Sequence, residues 1–176
     1  MPPVRDPGRQ GREAGDLLTI EIPSMTFMLA AYAIRQRGND VTFYSASGAR
    51  IAGPFDSSMF WPEPSHPCRG GVHSSSAVLV DRDAGRWLIS RSAPAGRAAR
   101  AQTTVHCIAV SRTADPVAGG WWRYDLALPV GTTDASLVIS NGIYRLSGER
   151  GAAAVEIALD RGAMLAGRPV LWNAER

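Results

Sequence analysis

Residues 77–90 read AVLVDRDAGRWLIS, and this stretch decides the fold class of the chain. Its two ends are short apolar runs rich in β-branched and aromatic residues, which favour strands. The DRDAG segment between them supplies aspartate and glycine, which favour a tight turn. The stretch therefore predicts a β-hairpin, with one strand over Ala77–Val80 and the returning strand over Trp87–Ser90.

The same alternation of short apolar runs and turns continues on both sides of this hairpin. The dipeptide Asn141-Gly142 is the strongest short hairpin signal in the chain, because both residues tolerate positive φ. Asp160 is predicted to cap a short helix that runs through Leu165 and stops at Gly167. Further strands are predicted over Leu17–Ile22, Val41–Tyr44, Arg50–Ala52, Val105–Ser111, Trp121–Leu126, Ser136–Ile139, Ile143–Leu146 and Ala153–Leu159.

The composition agrees with an all-β antiparallel meander. The chain has 176 residues, 45% of them apolar, with 18 glycines and 12 prolines. This apolar content suffices for a core, and no helix of crossover length is visible, so a parallel sheet is disfavoured. Residues 1–16 are rich in Arg, Gly and Pro and are predicted to be disordered, with the folded domain over residues 17–176. The apolar run Met25–Ile34 is too short to span a bilayer and fits a strand or a helix segment, so we expect no membrane insertion.

Four segments in order resemble a family of secreted bacterial propeller-like proteins. They are VTFYSASGARIAGPFDSSMFW from residue 41, AVLVDRDAGRWLISRSA from 77, CIAVSRTADPVAGGWWRYDLALP from 107 and VEIALDRGAMLAGRPV from 155. The resemblance implies about three to four blades of roughly 40–45 residues each, which make an incomplete propeller and part of a longer protein. It also implies an extracellular or cell-surface location.

The two cysteines, Cys68 and Cys107, are not arranged as a CxxC metal motif. On the residues alone they form either buried thiols or one disulfide, although a mixed site with His66 or His106 is conceivable. In the family that the chain resembles, both positions are commonly cysteine. For an exported protein the resemblance therefore implies a Cys68–Cys107 disulfide.

Other candidate sites have simpler structural explanations. Asp81 and Asp83 have the spacing of a calcium loop, but the third acidic position is missing and a turn explains both. Turn aspartates commonly bond to nearby backbone amides, and we expect these turns to alternate between opposite ends of the blades. The aspartates concerned are Asp56, Asp81, Asp83, Asp115 and Asp160.

Nucleic-acid binding and serine-nucleophile chemistry are disfavoured as well. All 19 basic residues are arginines, but they are scattered singly and never form a run interleaved with aromatics. There is no G-x-S-x-G motif, and His73 stands beside serines in a predicted loop. Alternation places Trp121 and Arg123 on one face of their strand and Trp122 and Tyr124 on the other. An outward tryptophan could stack on a sugar, but packing under an arginine is the simpler interpretation.

These observations predict a binding or scaffolding module without catalytic activity, cofactor or metal. The expected partner is a protein or a glycan of unknown identity, and nucleic acid is not expected. Two alternatives remain. The chain could be a fragment of a glycan-acting hydrolase with its catalytic site outside these residues, or an intracellular β-sandwich.

Overall fold

The structure, a computed structural model, describes residues 24–69, 76–94, 104–170 and 172–175. Within these residues the chain forms twelve strands, one 3₁₀ helix over Ser57–Phe60 and one α-helix. The elements are β1 (Ser24–Leu29), β2 (Tyr32–Arg37), β3 (Asp40–Ser45), β4 (Arg50–Asp56), β5 (Ser76–Asp81), β6 (Arg86–Pro94), β7 (Thr104–Ser111), β8 (Trp121–Ala127), β9 (Thr132–Ser140), β10 (Ile143–Arg150), β11 (Ala153–Leu159), α1 (Arg161–Leu165) and β12 (Trp172–Glu175). The strands predicted between Val41 and Leu159 are confirmed, whereas residues 1–16 and the predicted strand Leu17–Ile22 lie outside the described residues.

The strands are grouped into three four-stranded antiparallel sheets, each made of four consecutive strands. We call them blade 1 (β1–β4), blade 2 (β5–β8) and blade 3 (β9–β12). Neighbouring strands within each blade are hydrogen-bonded in the order of the chain. The prediction of an all-β fold is confirmed, and the three blades form an incomplete propeller-like arrangement.

Blade 2 lies between the other two blades, and this position explains why its strands carry apolar residues on both faces. Trp87 and Ile89 face a core shared with blade 1, whereas Leu88 and Ile108 face a core shared with blade 3. Since both faces are covered, seven consecutive residues of β7, from 105 to 111, are buried.

Blade 3, in contrast, buries only one face within the described residues. In β11 the buried residues Val155, Ile157 and Leu159 alternate with exposed ones, which is the pattern of a half-covered sheet. Its other face carries the surface ion pair between Arg145 and Glu156, whose Nε and Oε2 atoms are 3.4 Å apart.

The first strands of neighbouring blades lie close together, β1 beside β5 and β5 beside β9. Side-chain hydrogen bonds also connect each blade to the next. The side-chain amide of Gln36 donates to the carbonyl of Ser76, and its carbonyl accepts from the Val78 amide at 2.9 Å. Thr104 donates in the same way to the carbonyl of Thr132 in blade 3, at 3.2 Å.

The meander gives every blade two distinct ends. We call "loop end" the end at which the described connections 38–39, 57–69, 128–131 and 151–152 lie. We call "turn end" the opposite one, with the connections 30–31, 46–49, 82–85, 112–120, 141–142 and 160–170.

Turn residues explain most of the hairpins at the turn end. Asn141 and Gly142 have φ values of 51° and 71°, so the predicted hairpin between β9 and β10 is confirmed. The ambiguous run from Met25 is a hairpin of β1 and β2, and Ala30 in its turn has a φ of 50°. Alanine is an unusual residue for this conformation, so no turn signal marked it in the sequence.

Helix α1 follows the capping chemistry that was predicted for it. The Asp160 carboxylate accepts from the Ala163 amide at 2.9 Å, and Gly167 takes a φ of 70° just beyond the helix. In the part of the chain that the structure describes, no helix is long and apolar enough to cross a bilayer.

Candidate functional site

Asp81, at the turn end of β5, is the most heavily hydrogen-bonded carboxylate among the described residues. Arg161 donates to both of its oxygens, from Nε at 2.7 Å and from Nη2 at 2.9 Å. The Tyr144 hydroxyl donates at 2.6 Å and the Ala84 amide at 3.0 Å. These contacts connect blade 2 to blade 3, because Asp81 belongs to the former and Arg161 and Tyr144 to the latter.

The electrostatics of Asp81 indicate a structural role. Burial alone would raise its pKa, but the bonds from Arg161, Tyr144 and Ala84 outweigh that effect and lower the pKa to about 2. Burial and the neighbouring carboxylate raise the pKa of Tyr144, so its hydroxyl stays protonated. Asp81 is 2% exposed and its oxygens are already engaged by the protein, so it has little capacity left for a ligand.

His106 forms a second buried polar cluster, between blade 2 and blade 3. Its Nε2 lies 2.7 Å from the Ser90 hydroxyl and its Nδ1 lies 2.9 Å from the Ser92 hydroxyl. Burial lowers the pKa of His106 to about 4, so the ring is neutral at pH 7. A serine and a histidine at this distance resemble a nucleophile and its base, but both are almost fully buried. No carboxylate among the described residues contacts the ring, so a structural role fits better.

A third cluster lies at the loop end, at the junction of blade 1 and blade 2. Arg91 in β6 points towards blade 1, and its Nη1 donates to the Asp56 carboxylate and the Ser57 hydroxyl, both at 3.2 Å. The Arg91 side chain is completely buried, whereas the Asp56 side chain is 47% exposed. The buried guanidinium of Arg91 is therefore paired with a carboxylate, that of Asp56, which is half-exposed to solvent.

Asp56 is the carboxylate that can contact a ligand here. Burial raises its pKa, but hydrogen bonds from Ser58 and the charge of Arg91 outweigh this and hold the pKa below its usual value. Its Oδ1 accepts from the Ser58 amide at 2.8 Å and from Arg91 at 3.2 Å, and the Ser58 side chain also bonds to this carboxylate. Asp40 is its direct cross-strand neighbour, so a second acidic residue stands on the adjacent strand β3.

A disulfide links the two sides of this junction covalently. Cys68 and Cys107 form a disulfide with a Cα separation of 5.9 Å, within the range that a disulfide spans. Cys107 is also the direct cross-strand neighbour of Arg91 in blade 2. The bond therefore fixes the loop after β4 over the face that carries Arg91.

His66 and His106, which were considered for a mixed metal site, make hydrogen bonds to other groups of the protein. Nδ1 of His66 accepts from the Cys68 amide at 3.1 Å, His106 bonds to serines, and His73 lies outside the described residues. Among the residues that the structure describes, no group of three or more His, Cys, Asp or Glu side chains is placed to hold a metal ion.

The aspartate turns fulfil one expectation and contradict another. Asp56, Asp81, Asp115 and Asp160 all accept from backbone amides two or three residues ahead, as predicted. The predicted alternation between opposite ends is wrong. Only Asp56 is at the loop end, and the others follow strands that end at the turn end.

The tryptophans of β8 face opposite sides, as the alternation predicted. Trp121 packs edge-on against Phe60, with ring centroids 4.7 Å apart, and so faces blade 1. The guanidinium of Arg112 lies 3.8 Å from the ring centroid of Trp122. Gly167 approaches the same indole, so the ring is covered from blade 3 as well. Trp122 is thus packed under an arginine, which agrees with the simpler of the two interpretations.

Comparison with known proteins yields a fold-level likeness and no family. No protein-family model and no curated protein matches the chain. A solved structure of the α-L-arabinanase of Cellvibrio cellulosa matches with 14% identity over 85% of this chain, with a TM-score of 0.43. The chain spans 51% of the length of that arabinanase chain.

This match corrects one expectation from the sequence. The prediction that the chain is not an enzyme is contradicted, since the matched structure is that of a glycan-cleaving enzyme. The likeness is too distant to transfer an activity, a substrate or a catalytic residue. Any functional assignment has to come from the chain's own side chains.

Proposed function

We propose that this chain is the propeller portion of a bacterial glycan-acting hydrolase, and that the loop end of blades 1 and 2 contacts the sugar. The observation that carries the proposal is the carboxylate of Asp56. It is half-exposed, and hydrogen bonds from Ser58 together with the buried Arg91 hold it ionised. Sugar hydroxyls are good donors to an exposed carboxylate of this kind, because hydrogen bonds to an ionised acceptor are stronger than neutral ones.

The arrangement of carboxylates also favours the loop end over the turn end. Asp40 stands opposite Asp56 on the adjacent strand, and like charges in direct cross-strand positions disfavour folding. Most glycosidases use a pair of carboxylates, and a glycosidase site would give this acidic pair a function. Asp81 at the turn end is instead engaged on both oxygens by Arg161.

We also propose that the protein is exported, to the cell surface or beyond. The disulfide between Cys68 and Cys107 supports this, because such bonds persist in oxidising compartments and are rare in the cytosol. The sequence resemblance to secreted bacterial propeller-like proteins points the same way.

The proposal is tested with the oxidised protein on a panel of neutral polysaccharides that includes arabinan. Binding is measured by affinity electrophoresis, and hydrolysis by the release of reducing ends. Asp56→Asn removes the charge at the candidate site, and Asp83→Asn makes the same change at an exposed position of the turn end. We expect retardation or hydrolysis that falls about 10- to 100-fold in Asp56→Asn, as for the loss of a charged hydrogen bond, and survives in Asp83→Asn.

Two outcomes would overturn it. One is the absence of both retardation and hydrolysis with every polysaccharide. The other is an equal loss in the two variants, which would show that the effect does not arise from the loop end.

A further inference from the structure

Arg91 uses only one side of its guanidinium group. An arginine side chain has five N–H donors, two of which belong to Nη1. The Nη1 group donates to Asp56 and Ser57. Nε and Nη2, which carry the other three hydrogens, are buried and have no hydrogen-bond partner among the residues that the structure describes.

This state is unusual for a buried charge. Buried guanidinium groups are normally paired at nearly all their donors, since leaving them unpaired is costly. The same fold satisfies its other arginine–aspartate pair fully, with Arg161 donating from two nitrogens to both oxygens of Asp81. The Asp56 carboxylate that pairs with Arg91 is half-exposed, so solvent screens its negative charge. The positive charge of the buried guanidinium is therefore only partly neutralised.

The unpaired nitrogens define what could occupy the site. Nε and Nη2 form one edge of the planar group, and their N–H bonds point the same way, so the edge binds a single anion. The surroundings set its size. Arg91 and Ser57 are both buried, and the disulfide at the neighbouring Cys107 fixes the covering loop. Because this edge is buried, a small anion suits it better than a sugar ring.

We propose that the Nε–Nη2 edge of Arg91 binds a small monovalent anion, such as a halide, at the junction of blades 1 and 2. A bound anion completes the hydrogen bonding of the guanidinium and helps to hold the two blades together. It also weakens the electrostatic influence of Arg91 on Asp56. The site is independent of the proposal that Asp56 contacts a sugar and can be tested without any glycan.

The first test uses bromide as the probe. Crystals of the oxidised wild-type protein are soaked in sodium bromide, and the anomalous signal of bromine is measured. We expect a peak at hydrogen-bonding distance from both Nε and Nη2 of Arg91. An ordered Arg91 without such a peak would overturn the proposal, and this test does not depend on a variant that folds.

The second test measures thermal unfolding against chloride concentration, at an ionic strength kept constant with a bulky organic sulfonate. Binding to the folded state alone multiplies the folding constant by one plus the ratio of chloride concentration to Kd. Each tenfold increase of chloride above Kd should therefore raise the folding constant of the wild-type protein tenfold. Formate, which presents the same charge to the fork, should replace chloride, and phosphate should not.

Arg91→Lys keeps the charge but removes the fork, so its dependence on chloride should disappear. Arg82→Gln removes an exposed arginine at the turn end and should keep the wild-type dependence. Equal chloride dependence in wild type and Arg91→Lys would contradict the proposal, as would its loss in Arg82→Gln.

Discussion

Acidification should destabilise the protein through His106, well before its carboxylates are protonated. The ring is 1% exposed and lies between two serine hydroxyls, and burial lowers its pKa to about 4 from the ordinary 6.5. In the unfolded chain the same group titrates near 6.5. Between pH 6.5 and 4 the unfolded state therefore binds a proton that the folded state does not, and stability falls as the pH falls through this window.

The size of the effect follows from the shift in pKa. A difference of about 2.5 units at about 1.4 kcal/mol per unit gives roughly 3 kcal/mol, present in full above pH 6.5 and lost by pH 4. Since small domains are stable by only about 5–15 kcal/mol, this loss is readily measurable. Asp81 contributes in a separate window. Its pKa of about 2 in the folded state means that its stabilisation is lost as the pH falls below about 3.8.

The assay is urea unfolding followed by tryptophan fluorescence, at several pH values from 7.5 down to 4.5. The free energy of unfolding of the wild-type protein should decrease by about 2–3 kcal/mol over this range, within the loss expected from His106. His106→Gln, which cannot titrate, should be less stable at pH 7.5 and lose much less on acidification. His66→Gln leaves His106 in place and is the matched control. A His106→Gln variant with the same pH dependence as the wild type would refute the reasoning.

Three further outcomes can be checked by the same unfolding measurement. Reducing the Cys68–Cys107 disulfide, whose ends are 39 residues apart in sequence, should lower stability by about 4 kcal/mol, and an unchanged urea midpoint would contradict this. Asp81→Asn should cost about 2–4 kcal/mol, because Arg161 loses its charged partner, whereas Asp83→Asn should be nearly neutral. Gly167→Ala should cost about 1–3 kcal/mol more than Gly48→Ala, because both glycines have positive φ but only the first would press a methyl group against Trp122.

The strands and turns could be predicted from the sequence because their signals are local. Alternation of apolar residues, Asn141-Gly142 and the cap at Asp160 each depend on residues a few positions apart. The hairpin at Ala30 was missed because alanine carries no preference for its φ of 50°. The sequence VHCIAVS of β7 lacks the apolar–polar alternation of a half-covered strand. This was a usable signal for the central blade, since a strand covered on both faces is buried throughout.

The polar clusters could not be predicted in the same way, because their members are far apart in sequence. Arg91 is 35 residues from Asp56, and Arg161 is 80 residues from Asp81. Which arginine meets which aspartate depends on how the blades pack, and scattered single arginines give no hint of it. The sequence did indicate that these aspartates sit at turns, but the predicted alternation of those turns between opposite ends was wrong, since Asp56 alone of the five lies at the loop end.

The most direct test of the account asks where a sugar binds. The ¹H–¹⁵N spectrum of the isotope-labelled, oxidised protein is recorded during titration with neutral oligosaccharides from the glycan that is retained or cleaved. The account predicts that shifts concentrate on the backbone amides of residues 38–40, 56–58 and 91, at the loop end of blades 1 and 2. Shifts confined to residues 82–85 and 112–120 at the turn end would contradict it, because Asp56 would then have no contact with the ligand.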